Sequence, residues 1–327
     1  MELIISGYGK EGQTNIIKCD QRGNVIWSDT IENPSFVCLH KDRLFAGSEC
    51  EDYAVFHSYV KDGEGYRHVD SVRFDASFLC HICFSAKNMM LFGAFWGSGH
   101  VLYATIDESG KFISSGSIHQ DNETGDESLI TRAHFVHTNK AEDTLLVTNV
   151  GIDVIYFYEI TNNSITEKDR IYTERGQHPR HVVYTSDEKT LYVITELSNE
   201  VLVYDMPEKK LRQRISTLPA GYNEKSHCSA ICLSPDEKTI YGANRYSESI
   251  VFFGVDKDGT LYEKHRIPCH GEKPRHMILS EDGRNLIICY QVSGEVVTVP
   301  LGDDGLPTSD QPIRFDFHDA ACVAHIN

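Results

Sequence analysis

A strand-rich unit recurs along this chain with a period of roughly 45–50 residues, and that recurrence limits the fold more than any other feature. One copy runs His181-Val182-Val183-Tyr184, Ser186-Asp187-Glu188-Lys189, Leu191-Tyr192-Val193-Ile194 and Val201-Leu202-Val203-Tyr204-Asp205. The next runs Ala230-Ile231-Cys232-Leu233, Pro235-Asp236-Glu237-Lys238, Ile240-Tyr241-Gly242-Ala243 and Ile250-Val251-Phe252-Phe253. Two more extend from Phe135 to Phe157 and from His276 to Val299. Each is a short apolar strand, an acidic turn, a second strand, a polar turn and a third strand. Such tight spacing with Asp and Gly turns marks antiparallel β structure. No amphipathic helical pattern of useful length interrupts it.

Weaker copies run from Ser35 to Val60 and from Cys80 to Asp107. The first copy, with Leu3-Ile4-Ile5-Ser6 and Asn15-Ile16-Ile17-Lys18, lacks a preceding inner strand. The last residues, Ala321-Cys322-Val323-Ala324-His325-Ile326, have the form of that missing strand. The expectation is an all-β, seven-bladed β-propeller of four-stranded antiparallel blades, one domain over residues 1–327. The C-terminal strand closes it by joining the N-terminal blade, which removes free sheet edges.

Composition narrows the partners. The 327 residues hold 48 acidic side chains against 31 Lys and Arg, a formal charge of -17. Nucleic acid and anionic membrane surfaces both need a positive face, so neither is expected as a partner. No run of about 18 apolar residues suggests a membrane helix. The N-terminus reads as a strand from the start, and the ten cysteines are scattered, several inside apolar strands. A cytoplasmic location is the expectation.

Aligning the copies shows which residues share a place. Just before the apolar run of the inner strand stand Ser35, Cys80, His134, Arg180, Ser229 and Arg275. About sixteen residues later, at the end of the next strand, stand Glu49, Trp96, Asn149, Glu196, Arg245 and Gln291. Equivalent places in a propeller converge on one end of the central channel. Small or apolar residues would pack best there, yet most of these are polar or ionisable. Arg–Glu pairs can simply satisfy one another and wet the channel mouth. Three arginines gathered in so acidic a chain, with a Glu and a His, instead suit an anionic ligand and acid–base chemistry.

The strings His178-Pro179-Arg180-His181, Thr195-Glu196-Leu197-Ser198, Ala243-Asn244-Arg245 and Lys273-Pro274-Arg275-His276 resemble those of the lactonase family of seven-bladed propellers. That family includes bacterial propeller-type 6-phosphogluconolactonases and fungal carboxy-muconate lactonizing enzymes. The resemblance spans nearly the whole chain, most clearly Arg132 to Leu306. It implies a site of His134, Arg180, Glu196 and Arg245, the four that the repeat register selects. Arg275 is a secondary candidate for phosphate, and Asn149 and Gln291 for other substrate contacts. Two departures stand out: Arg132-Ala133-His134 replaces a His-Pro-His string, and Asn149 stands where an Asp is frequent.

The implied activity is hydrolysis of a sugar lactone bearing an anionic group, 6-phosphogluconolactonase-like, within carbohydrate metabolism. A carboxy-muconate-type cycloisomerase and a non-catalytic interaction platform are the alternatives. The expected partner is thus a small anionic lactone, and nothing in the sequence specifies an oligomeric state. No cofactor or metal is implied. Cys80-His81-Ile82-Cys83 lacks a second cysteine pair, and His134 and His137 lie three apart on a strand and face opposite sides. Neither a phosphate-binding Gly loop followed by a helix nor a Gly-x-Ser-x-Gly elbow occurs.

Overall fold

The computed structural model describes residues 1–10, 12–161, 163–309 and 311–326. Seven four-stranded antiparallel sheets stand around a central channel. Blade 1 takes its inner strand from the C-terminus: Ala320–Ile326 pairs with Glu2–Gly7. The other inner strands are Pro34–His40, Leu79–Ser85, Ala133–Thr138, Pro179–Tyr184, His227–Leu233 and Pro274–Leu279, for blades 2 to 7 in order. Among the described residues no helix is long and apolar enough to cross a membrane.

Strand position within a blade follows the sequence pattern. In blade 5 the second strand, Thr190–Thr195, is buried throughout and reads almost wholly apolar. The outermost strand, Lys210–Ser216, alternates, with Leu211 and Ile215 turned inward and Lys210, Arg212 and Arg214 turned outward. A strand covered on both faces needs continuous apolar sequence, and one covered on a single face needs period two.

The core is divided rather than central. Among the described residues seven apolar clusters occur, one between each pair of neighbouring blades. The cluster between blades 7 and 1 packs Leu3 and Ile5 with Ile287, Cys289 and Val323, so chain closure and core formation are one event there. Apolar contact lies mainly between blades, and ionisable side chains gather at one end of the axis.

The acidic turns have a specific job. Asp187, Asp236 and Asp282 each accept a hydroxyl from the Ser or Thr two residues earlier, at 2.8, 2.7 and 2.6 Å. The following residue has positive φ: Glu188, Glu237 and Gly283. Glu188 reaches back to accept the backbone N–H of Lys140 in the preceding blade at 2.6 Å, and Glu237 accepts that of Ser186. At the seventh blade a Cβ on Gly283 would press against Pro235, and glycine also suits the left-handed backbone.

At the other face, residues 121–132 link blades 3 and 4 and lie against the turn that follows Asn149. A Cβ on Gly151 would overlap the Ile130 carbonyl oxygen, a backbone atom that cannot swing away. Gly151→Ala is expected to destabilise the protein by about 1–3 kcal/mol, the usual cost of forced overpacking. A thermal melt with wild-type values for this variant would refute the contact.

Candidate active site

A β-bulge interrupts the pairing of the inner strand in every blade. In blade 5 Pro179 pairs with Thr195 and His181 with Ile194, leaving Arg180 unpaired between them. The same break leaves His134 in blade 4, Arg275 in blade 7, Cys80 in blade 3 and Ser35 in blade 2. In blade 6 the break spans Ser229, and in blade 1 it leaves Ala321. An extra residue in one strand re-aims its side chain. The inner-strand positions read from the repeat are therefore bulge residues, and their side chains form the first ring of the channel.

The second ring comes from the residue after the paired end of the second strand. Its N–H bonds to the carbonyl that precedes the inner strand: Glu196 to His178 at 2.7 Å, Glu49 to Asn33 at 2.9 Å, Trp96 to Phe78 at 2.9 Å, Gln291 to Lys273 at 3.0 Å. His178, Asn33, Phe78 and Lys273 all have positive φ, which turns each carbonyl to that task. Arg245 holds the corresponding place in blade 6, one beyond Asn244, the partner of Cys228.

Asn149 does not belong to this ring. It pairs with Ala133, as Thr195 pairs with Pro179, so it is one residue early. The ring position in blade 4 is Val150, whose N–H meets the Arg132 carbonyl at 3.0 Å. A slip of one residue turns a strand side chain to the opposite face. Asn149 is fully buried, and its amide is spent inside the protein. It accepts from the N–H groups of Arg132 and Gly151 at 2.8 and 3.1 Å and donates to Gln120 and Thr131 at 2.8 and 2.7 Å. It fixes the blade 3–4 connection and offers nothing to a substrate. The spacing of sixteen between Arg180 and Glu196, Ser229 and Arg245, and Arg275 and Gln291 would have placed Val150 opposite His134.

Blade 1 supplies the ring member that the repeat concealed. Gly7 pairs with Ala320, and Tyr8 follows it, with its N–H on the Asp319 carbonyl at 3.2 Å. Tyr8 escapes sequence alignment because its blade is split between the chain ends.

Of the other predicted residues, Arg180, Glu196, Arg245 and Arg275 fall into two ion clusters. In the first, Glu196 Oε1 accepts Arg245 Nη2 at 2.7 Å, and Glu196 Oε2 lies 3.6 Å from Arg180 Nε. His227 Nδ1 approaches the same carboxylate at 3.8 Å. Both guanidinium groups are also tied to backbone carbonyls, Arg180 to Ser229 and Arg245 to Cys228 at 3.0 Å. In the second, Arg275 Nη2 donates to the Tyr8 hydroxyl at 2.5 Å, and that hydroxyl donates to Glu49 Oε2 at 2.7 Å. The repeat register does not select His227, though it stands one residue before Cys228 as His178 stands before Pro179.

Burial sets the charges. It would raise the Glu196 carboxyl, but Arg245 and Arg180 overcome it and hold the group below the usual carboxylate range. Burial and the neighbouring Arg245 push Arg180 down to about 9, which leaves it charged at neutral pH. His134 is held well below its ordinary value by burial and by Arg180 and Arg275, so its imidazole is neutral.

Seven buried side-chain polar atoms lack a hydrogen-bond partner among the described residues. Four of them belong to the two rings: His134 Nδ1, Arg180 Nε, Arg245 Nε and Gln291 Oε1. Buried polar atoms are normally paired, so their concentration in these two rings is unusual. Above the rings the rim carries exposed Trp96, Leu197, Tyr246 and Val292. Arg132 lies 3.7 Å over the Trp96 ring, and Lys225 4.1 Å over that of Tyr246. Tyr246 has φ +70°, an uncommon backbone for a bulky residue.

Next to the rings lies a layer of packed aromatic side chains. His81 meets Phe36 and Phe135 at ring separations of 4.0 and 4.1 Å, and His181 meets Phe135 at 4.7 Å. His181 Nε2 sits 3.1 Å from Arg180 Nη1 and so serves as its acceptor. Cys80 lies in the first ring with its thiol 3.2 Å from the His134 carbonyl, whereas Cys83 faces Thr138 at 4.0 Å. The two thiols do not converge. No group of three or more metal-ligating side chains with suitable geometry occurs among the described residues.

Comparison with known proteins agrees with this architecture. A 6-phosphogluconolactonase of Bacillus subtilis is 25% identical over 282 residues, which cover 81% of this chain and 79% of that protein. A 6-phosphogluconolactonase of Formosa agariphila is 29% identical over 201 residues, 59% of this chain and 55% of that one. Two solved structures share the fold at low identity. The periplasmic gluconolactonase of Pseudomonas aeruginosa superimposes with TM-score 0.88 at 21% identity, over 99% of this chain and 98% of that one. A protein from Lactobacillus plantarum does so with TM-score 0.89 at 20% identity, over the full length of both chains. The family described as "Lactonase, 7-bladed beta-propeller" matches residues 18–323, and the chain belongs to it.

Proposed function

We propose that this protein hydrolyses a sugar lactone bearing an anionic group, as a 6-phosphogluconolactonase-like enzyme of carbohydrate metabolism, with residues 1–327 acting as one domain. The observation that carries this reading is the set of unpartnered buried polar atoms on His134, Arg180, Arg245 and Gln291. Relatives named for lactone hydrolysis match most of the chain, which disfavours cycloisomerisation and a purely structural platform.

Lactone opening needs a water nucleophile, a proton acceptor and a partner for the carbonyl oxygen as it gains charge. Neutral His134, with Nδ1 unclaimed, suits the acceptor role. Arg180 and Arg245 suit the developing oxyanion, since a guanidinium keeps its charge and presents a fork of donors. Glu196 is already engaged by both arginines and orients them. The substrate's anionic group falls to Arg275, and Gln291 accepts from a sugar hydroxyl. All ten cysteines are free thiols, which supports a reducing compartment such as the cytoplasm.

The test is a hydrolysis panel of phosphorylated and unphosphorylated sugar lactones with the wild type and Glu196→Gln. The variant is expected to lose at least about tenfold in turnover, because a neutral amide no longer aligns two cations. The wild-type rate is expected to stay level as pH falls from 8 towards 6.5, since His134 is already unprotonated there. No hydrolysis of any lactone, or full activity in Glu196→Gln, would refute the assignment.

A further inference from the structure

The two ion clusters at the channel mouth are built differently. Arg180 and Arg245 are each anchored to a backbone carbonyl and to Glu196. Arg275 has no such anchor among the described residues. Its only hydrogen bond there runs from Nη2 to the Tyr8 hydroxyl, so Nε and Nη1 are left without protein acceptors. Tyr8 hands the interaction on to Glu49, which itself stays 3.8 Å from Arg275 Nη2.

We propose that Arg275, Tyr8 and Glu49 form a phosphate-selective subsite, in which Tyr8 and Glu49 tune how strongly Arg275 takes a phosphoryl group and thereby set the preference for phosphorylated over unphosphorylated lactones. This deepens the lactonase reading and rests on it for the turnover measurements alone.

The physical case is a competition for one guanidinium. Without the phenol between them, Arg275 and Glu49 would close into a paired, bidentate contact, and the free edge of the fork would be lost. The phenol occupies one donor and keeps the carboxylate at a distance. Burial raises the phenol's pKa strongly, so Tyr8 stays a neutral bridge. Arg275 stays cationic despite its burial, with the Glu49 carboxylate 3.8 Å away. A phosphoryl dianion carries more charge than one carboxylate and can take the fork that Tyr8 leaves, the second Nη2 N–H together with Nε or Nη1. Glu49, left in place, repels that dianion and weakens its binding. On the same blade, the buried amide oxygen of Gln291 has no donor, which a hydroxyl of a phosphorylated sugar would supply.

The cluster therefore makes predictions of opposite sign. Inorganic phosphate binding is measured by titration calorimetry for the wild type, Arg275→Gln, Tyr8→Phe and Glu49→Gln. Arg275→Gln is expected to weaken binding at least about tenfold, and Tyr8→Phe about three- to tenfold. Glu49→Gln is expected to tighten it about threefold or more, because the competing charge is gone while the acceptor for Tyr8 remains. The ratio of kcat/KM for 6-phosphorylated over unphosphorylated gluconolactone should follow the same order, mainly through KM.

A merely structural role for these residues would weaken all three variants or none. Glu49→Gln binding phosphate no tighter than wild type overturns the proposal, as does Tyr8→Phe with unchanged affinity. Should Arg275→Gln fail to fold, the other two variants still decide. If the wild type opens neither lactone but phosphate affinity follows this order, the subsite stands and the lactonase reading falls. If both lactones are hydrolysed with the same ratio in every variant, the subsite falls alone.

Discussion

Acidification from pH 7.5 to 5.5 is expected to cost this protein about 5–6 kcal/mol of folding stability, on the basis of four strongly shifted histidines in its channel at about 1.4 kcal/mol each. His81, His134 and His181 are held well below their ordinary value by burial and nearby arginines and imidazoles. Burial, with Arg180 and Arg275, brings His276 down to about 3, and burial lowers His137. In the unfolded chain each imidazole takes a proton near pH 6.5, whereas in the fold it stays neutral. Below pH 6.5 the unfolded state binds more protons, so stability is full above that value and falls as pH drops. The loss is comparable with the whole net stability of an ordinary domain. Glu196 adds to it at lower pH, because its depressed pKa also favours the fold only while the carboxylate is ionised. The check is the urea midpoint followed from pH 7.5 to 5. A flat profile would mean that these imidazoles are not neutral in the fold. Replacing His81 with Gln should reduce the slope by about 1.4 kcal/mol per pH unit.

Arg180→Ala should lower lactone turnover by about 100- to 1000-fold, the scale for losing one oxyanion donor. The side chain links three features: the Ser229 carbonyl, the Glu196 carboxylate and the His181 imidazole. Without it, Glu196 keeps Arg245 at 2.7 Å, so the carboxylate is not abandoned and the fold should survive. What is lost is a fixed cation beside His134. Arg180→Lys should recover little, because an ammonium cannot meet a carbonyl, a carboxylate and an imidazole in one plane. Turnover and melting temperature measured together separate the cases. A folded Arg180→Ala variant with wild-type turnover would remove Arg180 from the chemistry.

Much of this is legible in the sequence. Period-two strands and acidic turns give the blades, because a sheet's faces alternate with each residue and turn chemistry is local. The apolar run at Ala321-Cys322-Val323 reads as an inner strand for the same reason, and it does close blade 1. Equivalent places in the repeat pick out His134, Arg180, Glu196 and Arg245. Three of them meet through ion pairs, and His134 lies within the electrostatic reach of Arg180 and Arg245.

Tertiary structure decided what counting could not. Asn149 and Val150 are neighbours in the chain, yet a bulge opposite them determines which one faces the axis. Tyr8 enters the site only because the two chain ends share a sheet. The histidine and phenylalanine layer next to the arginines forms from residues in different blades. Local sequence determines which residues form strands and which face of a strand is apolar. Which side chains share one small volume depends on register shifts and on closure of the ring, and both are settled only when all seven sheets pack together.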